Sequence, residues 1–130
     1  MADRLHITEI GRVAIPATDQ DRALEFYVGT LGFELRSDET IADGTMRWTE
    51  VAPRGGSTAL AIAPPMEGGS TAVDTGIVIS TSDIEADHAA LSAAGVDVDP
   101  EIARWGKPVP PMFRLRDAAG NSLTIVEPIE

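Results

Sequence analysis

The chain carries the same pattern of apolar and polar positions twice. Residues 11–35 begin with Gly11 and an alternating run, RVAIP, and continue through a polar loop, a helix-like stretch, a glycine and another short run. Residues 75–98 repeat that order. Alternation is typical of a strand with two different faces, and apolar positions three or four apart are typical of a helix. The pattern therefore predicts a strand, a helix and a second strand in each half.

The predicted helices have clear start and end signals. Asp19 and Asp83 follow the first strand of each half, and an aspartate side chain satisfies free N–H groups at a helix start. Gly32 and Gly95 follow the helices, where glycine accepts the left-handed conformation that ends many helices. The repeat is thus supported at both helix ends.

Two further strands complete each half, in residues 46–65 and 112–128, with a glycine-containing turn between them. Each half is therefore βαβββ, and the prediction is an α+β fold. Two tandem modules form curved sheets around a concave cleft, with helices on the outer faces. We expect one domain over residues 1–130. Its predicted parts are module 1 at about 8–65, a linker at about 66–72 and module 2 at about 73–130.

Composition narrows the classes of function. The 130 residues contain no cysteine, which excludes disulfides and thiolate nucleophiles. A formal charge of -11 would repel nucleic acid and attract cations. No apolar run approaches the length of a membrane span, so neither nucleic acid nor membrane is an expected partner. No signal peptide is visible, and the expected location is the cytoplasm.

The segments VAIPATDQDRALEFYVGTLGFEL and RDAAGNSLTIVEP resemble the vicinal oxygen chelate superfamily. That superfamily includes glyoxalase I, extradiol dioxygenases and bleomycin-resistance proteins. The resemblance covers about residues 8–128 and implies a fold of paired βαβββ modules. It says less about function, because one fold hosts several chemistries.

Metal-dependent members of that superfamily hold a divalent ion with ligands from the first and fourth strands of each half. The resemblance puts those positions at Arg12, Ala61, Gly76 and Thr124. Arginine stays protonated, alanine and glycine have no donor atom, and a lone threonine is a poor ligand. We therefore expect no metal and no other cofactor.

Small residues fill most of the expected inner face, which indicates a cleft. The predicted ligand-binding residues are Arg12, Trp48, Glu50, Ala61, Gly76, Trp105, Met112, Arg114 and Thr124. A charge within an amphipathic strand needs a carboxylate partner or an anionic ligand group, and Glu50 is the candidate partner of Arg12. The tryptophans have an alternative role in the core or a dimer interface, and Arg114 has one in a surface ion pair.

These features favour a metal-independent binding protein of the glyoxalase/bleomycin resistance type that sequesters a small aromatic cation. The resemblance to the bleomycin-resistance branch implies a homodimer, because two chains commonly build the clefts there. One alternative is a lyase, isomerase or dioxygenase-like enzyme, with Glu50 as general base and Arg12 holding an oxyanion. Another alternative is an interaction or regulatory module.

Overall fold

A computed structural model describes residues 4–66 and 69–129, so positions 67 and 68 of the predicted linker lie outside the described residues. The strands are β1 (Arg12–Pro16), β2 (Glu34–Ile41), β3 (Met46–Ala52), β4 (Ala59–Ala63), β5 (Asp74–Ser80), β6 (Met112–Arg116) and β7 (Ser122–Val126). The helices are α1 (Gln20–Leu24), its π-helical continuation (Glu25–Thr30), a 3-10 turn (Ala42–Gly44) and α2 (Ile84–Ala93). Within the described ranges, no helix is long and apolar enough to cross a bilayer.

The strands form two sheets with matching topology. Sheet 1 has the order β1-β4-β3-β2, and sheet 2 has the order β5-β7-β6. In sheet 1, β1 lies parallel to β4, and β3 pairs with β4 antiparallel. In sheet 2, β5 lies parallel to β7, and β6 pairs with β7 antiparallel. The predicted α+β fold of two tandem modules is confirmed.

The second predicted strand of module 2, after α2, does not form a continuous strand. After α2, Val98 and Ala103 pair with β6 only through isolated bridges. Pro100 lies between them and has no N–H to donate to a sheet. Sheet 2 therefore has three continuous strands in the part of the chain that the structure describes.

The predicted helix ends are confirmed. Asp19 and Asp83 each accept a hydrogen bond from the backbone N–H three residues further along, at 3.0 and 3.1 Å. Gly32 and Gly95 have φ values of +76° and +80°, a region that costs glycine little and other residues more. These four residues fix where each helix begins and ends.

The helix-bearing faces of both sheets share one hydrophobic core. We call these the covered faces, and the opposite faces the open faces. The larger core residues are Ile15, Tyr27, Phe33, Val51, Leu60, Ile62, Ile84, Phe113, Leu115, Leu123 and Ile125. Because side chains alternate along a strand, the residues between these core positions lie on the open faces, on the sides of the sheets away from the core.

A buried polar contact ties the modules together within that core. Tyr27 is fully buried, and its Oη donates to Asp117 Oδ2 at 2.7 Å. Asp117 Oδ1 accepts from the backbone N–H groups of Ala119 and Asn121, and Asn121 Nδ2 donates to the carbonyl of Pro16. Burial, together with the nearby carboxylate, raises the pKa of Tyr27. The hydroxyl therefore stays protonated and remains a donor.

Tyr27→Phe removes this donor with little change in volume. We expect the free energy of unfolding to fall by about 1–3 kcal/mol, as for the loss of a buried hydrogen bond to a charged group. Urea unfolding followed by circular dichroism measures the change. Thr40→Val, at an exposed position of β2, is the control, and equal unfolding free energies for both variants would show that the contact contributes nothing.

Candidate ligand-binding site

The open face of sheet 1 carries small side chains on its central strand. β4 presents Ala59 and Ala61, which lie opposite Arg12 of β1 and Glu50 of β3, respectively. Ser37 of β2 lies opposite Glu50 on the far side. The register therefore brings residues of all four strands to one surface.

Three predicted site residues meet on this surface. Arg12 Nε donates to Glu50 Oε2 at 2.8 Å, and Trp48 Nε1 donates to the same oxygen at 2.6 Å. We call these three side chains the Arg12–Glu50–Trp48 cluster. The contact confirms Glu50 as the predicted partner of Arg12.

The alanines of β4 make the cluster possible. β1 and β3 flank β4, so Arg12 and Glu50 start on strands roughly 10 Å apart, twice the spacing of neighbouring strands. The arginine side chain reaches across that distance because only the methyl groups of Ala59 and Ala61 lie beneath it. A large side chain at Ala61 would occupy the path of the ion pair.

The cluster fixes the charge of Glu50. This residue is 8% exposed. The hydrogen bond from Trp48 lowers its pKa, burial opposes that effect, and the hydrogen bond and positive charge of Arg12 lower it further. Glu50 is therefore a carboxylate at neutral pH and a weaker base than an ordinary glutamate. That does not favour general-base catalysis, which works best with a pKa near the operating pH.

A polar cavity of about 400 Å³ adjoins the cluster. Its polar lining consists of Glu9, Arg12, Arg36, Ser37, Glu50 and Ser57. Ser37 was not among the predicted residues, because a register shift between Leu35 and Ser37 changes which residues of β2 face this way. Alternation along the sequence gives no signal for Ser37, because its position opposite Glu50 depends on that shift.

Apart from Ala61 on β4, the other predicted site residues lie on sheet 2 or its loops. Met112, Arg114 and Thr124 are on the open face, with Arg114 opposite Thr124. Arg114 Nε lies 3.4 Å from Asp99 Oδ2, which matches the surface ion pair considered for it. Trp105 is 68% exposed on the loop before β6. Among the described residues, no hydrogen bond or ring contact joins it to the Arg12–Glu50–Trp48 cluster.

A single chain does not cover the open face of sheet 2. Val78 is 58% exposed there, and Gly76 and Ser80 on the same strand are exposed as well. The expected cleft between two open faces is therefore not closed within one chain.

The four positions equivalent to metal ligands are split between the sheets, with Arg12 and Ala61 on sheet 1 and Gly76 and Thr124 on sheet 2. Across residues 4–66 and 69–129, no three histidine, aspartate or glutamate side chains are grouped to hold a metal ion. The chemistry of the site rests instead on one ion pair and one indole.

Paired modules with an open face of this kind define a class of small α+β proteins, and comparison with known proteins gives the family. Residues 9–124 match the model of the Glyoxalase/Bleomycin resistance protein/Dioxygenase superfamily. The chain belongs to that superfamily. An uncharacterized protein of Bacillus subtilis (strain 168), YetH, is 32% identical over 124 residues, which are 93% of this chain and 99% of that protein.

Two solved structures are similar over nearly their whole length. TnmS3, an antibiotic binding protein from Streptomyces sp. CB03234, has 30% identity and a TM-score of 0.83, with 96% of this chain and 99% of that chain covered. A superfamily member from Sphaerobacter thermophilus DSM 20745 has 34% identity and a TM-score of 0.83, with coverages of 95% and 99%.

Glu50→Gln tests the electrostatics of the cluster. Because folding lowers the pKa of Glu50, its contribution to stability is present above the unfolded-state pKa and is lost as the pH falls through the folded-state value. We expect Glu50→Gln to be less stable than the wild type at neutral pH. The difference should shrink as the pH drops below the ordinary glutamate value of 4.5.

Urea unfolding of both proteins across that pH range measures the difference. Glu101→Gln, at an exposed loop position, is the matched control. A stability difference that stays constant with pH would show that the charge of Glu50 does not contribute to folding.

Proposed function

We propose that this protein is a metal-independent binding protein that sequesters a small aromatic cation on the open face of sheet 1. The observation that carries the proposal is the contact between Trp48 Nε1 and Glu50 Oε2. It holds an indole ring and an ionised carboxylate side by side on the face that also carries Arg12 and the alanines of β4.

The physical properties of this face suit such a ligand. The face of an indole ring attracts cations and stacks on planar groups. Because its N–H is already bonded to Glu50, the ring of Trp48 has one preferred orientation. The methyl groups of Ala59 and Ala61 leave the path across β4 to Arg12, and the net charge of -11 raises the local concentration of cations.

The relatives support a binding role. TnmS3 is an antibiotic binding protein, and the superfamily description includes the bleomycin resistance proteins. Metal independence is supported by the chemistry of Arg12, Ala61, Gly76 and Thr124, which do not form a set of metal ligands. The cytoplasmic location stays a prediction.

We also propose that the working form is a homodimer. The covered faces share one core, so the open face of sheet 1 has no second wall within its own chain. Val78 on the open face of sheet 2 is exposed and belongs to the surface that a second copy would bring. Each cleft then contains one open face from each chain.

The ligand prediction is tested with ethidium and acridine orange, two planar aromatic cations. We expect binding to raise the melting temperature and to quench the remaining tryptophan in a Trp105→Phe background. Trp48→Leu should weaken binding roughly tenfold or more, because it removes the ring that faces the cation. Trp105→Leu is the comparison variant. If neither dye shifts the melting temperature or quenches emission, the proposal loses its support.

The dimer prediction is tested by solution mass. We expect about twice the 13.7 kDa of one chain, and Val78→Asp should shift the mass towards the monomer because it puts a charge in the proposed interface. Val28→Asp is the matched control, since Val28 is an exposed valine on the π-helical turn, outside the open faces. A monomeric wild type, or an unchanged mass for Val78→Asp, would contradict this arrangement.

A further inference from the structure

We propose that Arg12 binds a carboxylate of the same ligand, so that the ligand of this site is an amphoteric aromatic compound with a cationic group and a planar oxyanion. The inference rests on the proposed function, because it assigns a second subsite beside the ring of Trp48. In this proposal Arg12 contacts the ligand directly and does not serve only as the counterion of Glu50.

The ion pair leaves most of the Arg12 guanidinium free. Only Nε donates to Glu50, and no residue in the described part of the chain accepts a hydrogen bond from the two terminal nitrogens. The side chain of Arg12 is 62% exposed, whereas that of Glu50 is 10% exposed. The edge formed by the terminal nitrogens is the part that can donate two parallel hydrogen bonds to a carboxylate.

The free edge is also held in place. Glu50 Oε2 accepts from both Arg12 and Trp48, so the guanidinium and the indole have a fixed relation to each other before any ligand arrives. A ligand that uses both groups loses less conformational freedom of the protein on binding than one that must order them. Because both groups are bonded to one oxygen, a ligand with a ring and an oxyanion in one molecule can use them together.

The cavity beside Arg12 has the chemistry of an oxygen-binding pocket. Ser37 and Ser57 line it, and neither hydroxyl has a hydrogen-bond partner among the residues that the structure describes. Arg36 adds a second guanidinium, anchored by a 2.8 Å hydrogen bond from Nη2 to the carbonyl of Gly56. A volume of about 400 Å³ accommodates a carboxylate and its hydrating waters.

The charged side chains that line the cavity favour a hydrogen-bonded contact of fixed geometry over a general electrostatic attraction for anions. Glu9 and Glu50 balance Arg12 and Arg36 in the cavity wall, so the pocket has no large positive field. Recognition then depends on the geometry of the arginine fork. Lysine, a point charge without the fork, would not replace it.

The test uses rhodamine B, a cationic aromatic dye with a free carboxylate, and its ethyl ester, which lacks that charge. Fluorescence anisotropy gives the dissociation constant of each dye. We expect the wild type to bind rhodamine B at least about tenfold more tightly than the ester, as a charge-assisted pair of hydrogen bonds predicts. Arg12→Lys and Arg12→Gln should reduce that preference to about twofold or less.

Arg104→Gln is the matched control, because Arg104 pairs with Glu85 on the surface, outside the site, and the variant should keep the full preference. Equal affinity of the wild type for the two dyes would overturn the carboxylate subsite and leave the proposed binding of aromatic cations standing. A preference that persists in both Arg12 variants would also overturn it. Failure of both dyes to bind would count against the proposed function itself.

Discussion

A single carboxylate oxygen organises the open face of sheet 1. Glu50 Oε2 accepts hydrogen bonds from Arg12 and Trp48, and those three side chains come from two strands separated by β4. The contact exists only because β4 carries methyl groups at Ala59 and Ala61. A buried charge needs partners to offset its lost hydration, and the same two partners determine how the indole and the guanidinium are presented to a ligand.

The core determines where that surface lies. The covered faces of both modules pack into one cluster, and the buried hydrogen bond between Tyr27 and Asp117 joins them. A protein of this size has enough apolar surface for one core. The open faces therefore lie outside that core, where the proposed ligand and the proposed second copy would contact the chain.

Much of this arrangement could be predicted from the sequence, because alternation decides which face a residue takes. Alternation along β3 puts Trp48 and Glu50 on one face, but it does not decide which face of the sheet that strand presents. The register of β1, β4 and β3 in the structure brings Arg12 to the same face. The polar cavity could not be predicted in the same way. Ser37 depends on a register shift in β2, and Ser57 lies in the turn before β4, where no period of apolar positions indicates direction.

The two modules have diverged at equivalent positions, and the divergence has a physical meaning. Glu50 lies opposite Ala61 in sheet 1, as Arg114 lies opposite Thr124 in sheet 2. The repeat thus has a carboxylate in one module where the other has a guanidinium. Arg12 pairs with the first and Asp99 with the second. Because each charge is already paired, a cleft that brings the two open faces together would not confine unbalanced charge. Selectivity for a ligand would then depend on how these paired groups are oriented, including the free edge of Arg12.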